Sequence, residues 1–386
     1  MDLSYTEDEQ RARQRIRGWL DEHVPAEPLP AQHTAEGVEA HRRWERLLHG
    51  AGFAALHWPR EYGGAGADAV TQAIFQEEYL RARAPRRLNR LALGLIGPSI
   101  MDFGTADQKR RFLPAMLTCD ELWCQGFSEP ESGSDLASLR TRAEPDGDGY
   151  RVTGQKVWTS LAAFASWMFA LVRTSSGGKR HDGLTMLLVP LRQDGVVVRP
   201  IRQLDGEAGF AEVFFDGAKV PKSHVLGAVD DGWRVALAAL VHERATGVGN
   251  YAQFSDDVAQ LVRLARDAER GSDPVLRSRI AQLFIDTEVF RAHMQRVASV
   301  RHEGELARLA NITKLFWSEL ETRIFETASE LLGAEAERAD HGDLGFSGDF
   351  QRRYWHARAS KIYAGTNEIQ RNVIATRVLG LPRGDG

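Results

Sequence analysis

Cysteine is nearly absent: Cys119 and Cys124 are the only two in 386 residues. A pair so sparse makes neither a disulfide framework nor a cysteine metal set, and it fits a reducing compartment. No apolar run approaches the roughly 20 residues that span a bilayer. The opening MDLSYTEDEQ is acidic and has no apolar core of signal type. Positive charge is not in excess either. The net charge of −4 gives no basic field for nucleic acid. No G-x-G-x-x-G follows a strand pattern, so any dinucleotide is held in some manner other than the Rossmann one. These absences leave a cytoplasmic enzyme as the expectation, with no metal, no nucleic acid and no membrane insertion. The length favours two or three domains over a single core.

Helical patterns fill residues 1–121. Thr6 and Glu9 have capping-box spacing, and Ile16, Trp19, Leu20 and Val24 then share one helical face. A second helix is expected over 38–48, with Trp44, Leu47 and Leu48 as its apolar face, ended by Gly50 and Gly52. The glycine-rich WPREYGGAGAD (58–68) lacks the Lys-Ser/Thr of a phosphate loop and reads as a tight turn. Helical patterns resume at 73–80 and 108–117. The arginine-rich RARAPRRLNR (81–90) is either a solvated face or a local attraction for an anionic ligand.

From residue 122 the pattern changes to short β-branched and aromatic runs at 150–152, 166–173, 183–191, 195–204 and 211–220. Gly, Pro and Asp clusters separate them, and no long helix intervenes. The expected central domain, 122–229, is therefore an antiparallel β-barrel or sandwich. Long helices return over 230–386. The segments 233–244, 255–268, 274–302 and 306–332 suggest a four-helix-type bundle, with Pro274 in a first-turn position. The fold class expected is thus multi-domain α+β: helices, then strands, then helices.

Three motifs punctuate that order. QGFSEPESGSD (125–135) is rich in small residues and hydroxyls. KVWTS (156–160) sets an aromatic before two hydroxyls. KIYAGTNEIQR (361–371) breaks one helix and starts another. Separately each is a turn or a strand end. Together, in this order and over nearly the whole chain, they resemble the acyl-CoA dehydrogenase family.

That resemblance implies FAD as cofactor and the α,β-desaturation of an acyl-CoA or acyl-carrier thioester. A carboxylate takes the α proton, and the β hydrogen leaves as hydride. It implies that Gln125, Phe127, Ser128, Gly133 and Ser134 line the flavin, with Ser128 toward the pyrimidine part of the ring and Ser134 close to both cofactor and substrate. Trp158 packs on the ring, Thr159 accompanies it, and Ser160 donates toward N5. A packing aromatic is the ordinary alternative for Trp158. Thr366, Asn367 and Glu368 touch the cofactor, while Ala364 and Gly365 meet the substrate, the Ala364 N–H donating to the thioester carbonyl.

Many family members carry the base where this chain has Ala364, which accepts no proton. Another branch carries it in a Glu-Arg pair on a bundle helix, and LVHERATG (240–247) supplies that pair. Glu243 is the expected catalytic base, set against the usual fate of a helical Glu, which is solvation. Arg244 positions the acyl-CoA or forms a plain salt bridge. His242 reads as structural.

The chain departs from the homotetrameric pattern in two places. RLARDAERGSDPVLR (263–277) lacks Phe-Gly, and ASELLGAEAERAD (328–340) keeps Gly333 but not the Gly pair. The partners expected are an electron-transfer flavoprotein and either a homo-dimer or tetramer or a hetero-oligomer with a related subunit. Two other readings stay open: a flavin oxidase or monooxygenase on the same fold, and a non-catalytic partner subunit.

Overall fold

The structure, a computed structural model, describes residues 5–245, 251–300, 303–337 and 350–382. Within those spans the side chains at 243–245, 298, 303–308 and 310 lie outside the described residues. The chain divides into two compact units. One gathers Met1–His23, Asp68–Ala84 and Gly247–Gly386, and the other gathers Val24–Ala67 and Pro85–Thr246.

The first unit is helical. Glu9 N–H donates to Thr6 Oγ1 at 3.3 Å, and Thr6 N–H donates to Glu9 Oε2 at 2.7 Å. This reciprocal cap starts α1 (Glu7–His23), which buries Ile16 and Leu20. Helix α3 (Ala69–Arg81) carries Glu78, whose side chain is 1% exposed and receives Arg13, Arg17 and Arg81. The bundle consists of α7 (Tyr251–Asp267), α8 (Pro274–Ser299), α9 (Glu303–Leu332) and α10 (Phe350–Ser360). Leu261, Leu283, Phe290, Leu320, Phe325 and Phe350 form its core. Asp273 caps α8 ahead of Pro274. A buried bidentate pair, Arg353 to Asp257 at 2.7 and 2.6 Å, ties α10 to α7.

The second unit holds α2 (Ala35–Gly50), a π-helical turn at Ala92–Ile96, α4 (Gly97–Phe103), α5 (Ala106–Leu117), the sheet and α6 (Gly232–Ala245). Leu47, expected on the apolar face of α2, is 49% exposed, while Val38 and Leu48 are buried. The arginine run is partly structural. Arg87 Nε lies 3.0 Å from both carboxylate oxygens of the buried Glu45, which also accepts the N–H groups of Leu88 and Asn89. Arg81, in the helical unit, serves Asp21 and Glu78.

The sheet has eight strands: β1 (Trp123–Gly126), β2 (Arg142–Asp146), β3 (Gly149–Ser160), β4 (Trp167–Arg173), β5 (Leu184–Pro190), β6 (Val196–Ile201), β7 (Phe210–Pro221) and β8 (Val225–Leu226). Its order is β6-β7-β3-β2-β4-β5-β8, with β1 beside β4. It is mixed and open, which corrects the expectation of an antiparallel barrel or sandwich: β1–β4 and β2–β4 are parallel pairs. Short strands parted by turns announce local hairpins, and they carry no signal for pairing between distant segments.

Helix α6, expected as the first helix of the bundle, packs within the sheet-bearing unit. Its Val235, Ala236 and Ala239 share a core with Leu184, Met186 and Leu188 of β5. Gly232 makes the approach possible. A Cβ there would lie 2.5 Å from the Thr185 carbonyl carbon.

Candidate active site

Motif residues separated by a long stretch of sequence are joined at the end of β3. Val157 N–H donates to Ser128 O at 2.9 Å. Lys156, fully buried, reaches back under the 125–135 segment, its Nζ 2.8 Å from Glu129 Oε1 and 3.1 Å from Phe127 O. Glu129 also accepts from Arg140 N–H at 2.6 Å and Thr141 N–H at 2.9 Å. Burial drives the Lys156 ammonium down to about 8, against the pull of Glu129. Burial is the largest influence on Glu129 and opposes its charge, but Lys156 together with the Thr141 and Arg140 N–H groups keeps the carboxyl below its ordinary range.

A β-bulge lies in β3 just beyond this anchor. Lys156 pairs with Val213 and Thr159 with Ala211, so three steps on β3 face two on β7. Trp158 takes the extra position with φ of +59°, a left-handed conformation that costs a non-glycine residue about 1–2 kcal/mol. The strain turns the indole outward. It is 60% exposed, braced only at its edge by Phe210. Thr159 turns inward and is fully buried, and among the described residues its Oγ1 has no hydrogen-bond partner.

The remaining residues of this half fall into place around the bulge. Gln125 and Ser128 are half-buried. Phe127 is buried against Phe169, so the core takes its ring and Lys156 takes its carbonyl. Gly126 packs on Met168, where a Cβ would come within 2.2 Å of Sδ. Gly133 and Ser134 are exposed, and Ser160 is half-buried. Ser132 Oγ is buried and turned to Asp135 O at 2.8 Å.

In the helical unit the closing motif forms a tight turn between α10 and α11 (Asn367–Val373). Ala364 and Gly365 are left-handed, with φ of +53° and +83°. Asn367 N–H donates to Lys361 O at 3.0 Å, and Gln370 Nε2 donates to Ala364 O at 3.2 Å. Among the described residues the Ala364 N–H finds no acceptor. Thr366 caps α11 by accepting from Ile369 N–H, and Glu368 is exposed. Sequence reasoning did not single out Lys314, on α9. It is 2% exposed, and its Nζ lies 2.7 Å from Asn367 Oδ1.

Glu243 and Arg244 sit in the last turn of α6, but their side chains lie outside the described residues. What is fixed is the helix that carries them. His242, one residue earlier, sets Nε2 2.7 Å from Asp102 Oδ2 of α4.

The strained, outward-facing indole is an aromatic surface that fits the face of an isoalloxazine, whereas the Thr159 hydroxyl is buried on the opposite face of the strand and takes no part in that surface. Lys156 and Glu129, which hold that surface together, escaped the sequence reading. The only trace of them is a lysine in one motif and three carboxylates, Glu129 among them, in the other.

Known proteins share this chain's sequence pattern and fold. Residues 6–120, 124–218 and 230–379 match the N-terminal, middle and C-terminal domain models of acyl-CoA dehydrogenase. The chain is 42% identical over 387 residues to the acyl-CoA dehydrogenase IpdE1 of Mycobacterium tuberculosis, covering 98% of this chain and 99% of that one. Among solved structures, the Tcur3481-Tcur3483 steroid ACAD superposes with a TM-score of 0.87 at 28% identity, covering 100% of both chains. The ChsE4-ChsE5 complex from Mycobacterium tuberculosis does so with a TM-score of 0.87 at 30% identity, again covering 100% of both.

Proposed function

We propose, from the premise that this chain belongs to the acyl-CoA dehydrogenase family, that it desaturates the α,β bond of a CoA thioester built on a bulky, steroid-type skeleton. The observation that carries the flavin part of this reading is the bulge of β3, which leaves the Trp158 ring exposed at the strand end. The steroid-type acyl group is supported by the likeness to a steroid ACAD.

FAD, when bound, supplies the acceptor for the β-hydride. The protein's own residues do the rest. Trp158 offers the ring a flat apolar face, and the half-buried Ser160 offers it a hydroxyl, while Thr159 is turned into the core. Gln125, Ser128, Gly133 and Ser134 line it from the segment that Lys156 fastens, where the Phe127 ring backs the segment from the core. Thr366 and Glu368 contact the cofactor from the closing motif. Glu243 removes the α proton, because Ala364 in the closing motif holds no proton acceptor. The Ala364 N–H donates to the thioester carbonyl, which gains negative charge as the proton leaves, with Gly365 beside the acyl group. Arg244 helps position the acyl-CoA. Electrons pass onward to an electron-transfer flavoprotein.

The altered 263–277 and 328–340 segments and the likeness to a two-protein complex support assembly with a related subunit. The test is anaerobic mixing of the yellow protein, alone and with that subunit, against a panel of acyl thioesters, scoring flavin bleaching. Bleaching by polycyclic acyl-CoA, lost in Glu243→Gln with flavin retained, is the expected result. Undiminished bleaching in Glu243→Gln overturns the base assignment. Rapid reoxidation in air would point to an oxidase instead.

A further inference from the structure

Lys314 is a lysine where a hydrophobic residue would be ordinary. It lies on α9, is 2% exposed, and its ammonium is directed at an amide oxygen instead of a carboxylate. Burial pushes that ammonium down to about 8, although Glu368 and Glu319 favour its charge. Among the described residues the amine has a single neutral acceptor, a costly arrangement for a buried charge. Its acceptor, Asn367 Oδ1, is also approached by Ser318 Oγ at 3.0 Å, and Asn367 is itself 2% exposed.

Asn367 closes the turn that holds Ala364. Its own N–H returns to Lys361 O, and the segment between contains two successive left-handed residues, one of them an alanine. A strained turn of this kind persists only when its surroundings over-determine it. Gln370 grips it at the Ala364 carbonyl, and Lys314 with Ser318 grips it at Asn367. The Ala364 N–H is thereby held free of any protein acceptor among the described residues.

We infer that Lys314 is a positioning residue for desaturation: by holding the Asn367 side chain it locks residues 364–367 so that the free Ala364 N–H meets the acyl carbonyl. The inference rests on the reading of that N–H as the carbonyl donor given above. It assigns Lys314 no contact with substrate.

The test compares Lys314→Met, Asn367→Ala and Asn367→Asp in the flavin-loaded protein, and follows hydrogen exchange over residues 361–367 in the flavin-free protein. Lys314→Met and Asn367→Ala should each lower kcat by about tenfold or more with KM little changed, as expected for a donor displaced by a fraction of an ångström to about an ångström. Exchange across 361–367 should quicken in both. Asn367→Asp keeps an oxygen for the ammonium and should retain most of the wild-type kcat and protection. A Lys314→Met protein that does not fold leaves the decision to Asn367→Ala, which removes the same bond from the turn side. Wild-type kcat in Lys314→Met or in Asn367→Ala overturns the inference, even with faster exchange, because the bond would then be structural only. A wild-type protein that desaturates no acyl thioester overturns the proposed function, and this inference falls with it.

Discussion

Lys156 Nζ and Glu129 Oε1 meet at 2.8 Å in a place that water does not reach, with the lysine 0% and the glutamate 8% exposed. The pair joins the strand that carries Trp158 to the loop that carries Ser128. Replacing Lys156 with Met should strand the Glu129 charge and cost about 3–5 kcal/mol. The double replacement with Glu129→Gln should recover part of that loss. Thermal unfolding of the three variants, with flavin content measured alongside, checks both expectations.

Glu78 predicts a response to acid. Burial works against its charge, but Arg17, Arg81 and Arg13 hold the carboxyl at about 2 against an ordinary 4.5. A carboxyl lowered on folding stabilises above its unfolded value and loses that contribution as pH falls toward its folded one. Wild type should therefore be more stable than Glu78→Gln at neutral pH. The gap should shrink from about pH 4.5 downward and close near 2. Urea unfolding across that range is the measurement.

Gly232→Ala tests the seat of α6. The added methyl would lie 2.5 Å from the Thr185 carbonyl carbon, in the backbone of β5. The helix has to move outward, at a cost of about 1–3 kcal/mol. Because this helix also carries Glu243, kcat should fall further than the loss of stability explains. Steady-state turnover measured well below the midpoint of unfolding separates the two effects.

Trp158 should report flavin binding. Its indole is 60% exposed, whereas Trp58 and Trp123 are buried. Adding FAD to flavin-free protein should quench tryptophan emission, and Trp158→Phe should lose a distinct share of that quench. An identical quench in the variant would place the cofactor elsewhere.

Local signals carried far in this sequence. The Thr6–Glu9 cap and the Pro274 start lie within a turn of what they organise, and both formed as expected. Pairing at a distance was silent. Nothing in WCQG at 123–126 announces a parallel partner at 167–170. Helical periodicity shows that α6 has an apolar side, but not whether a sheet or a bundle will cover it. Lys156 and Lys314 were passed over for the same reason. A charged side chain is called buried only once its partner is known, and Glu129 and Asn367 come from remote segments.

The extra residue in β3 works as a parity switch. Before it, the even-numbered Tyr150, Val152 and Lys156 point into the protein; after it, the odd-numbered Thr159 does. Deleting Val157 would restore plain alternation, with Lys156 inward, the indole still outward and the threonine still inward. What would vanish is the left-handed step that tilts the ring away from the run of the strand. Burial at this strand end is therefore indifferent to the insertion, and only the aim of the indole depends on it.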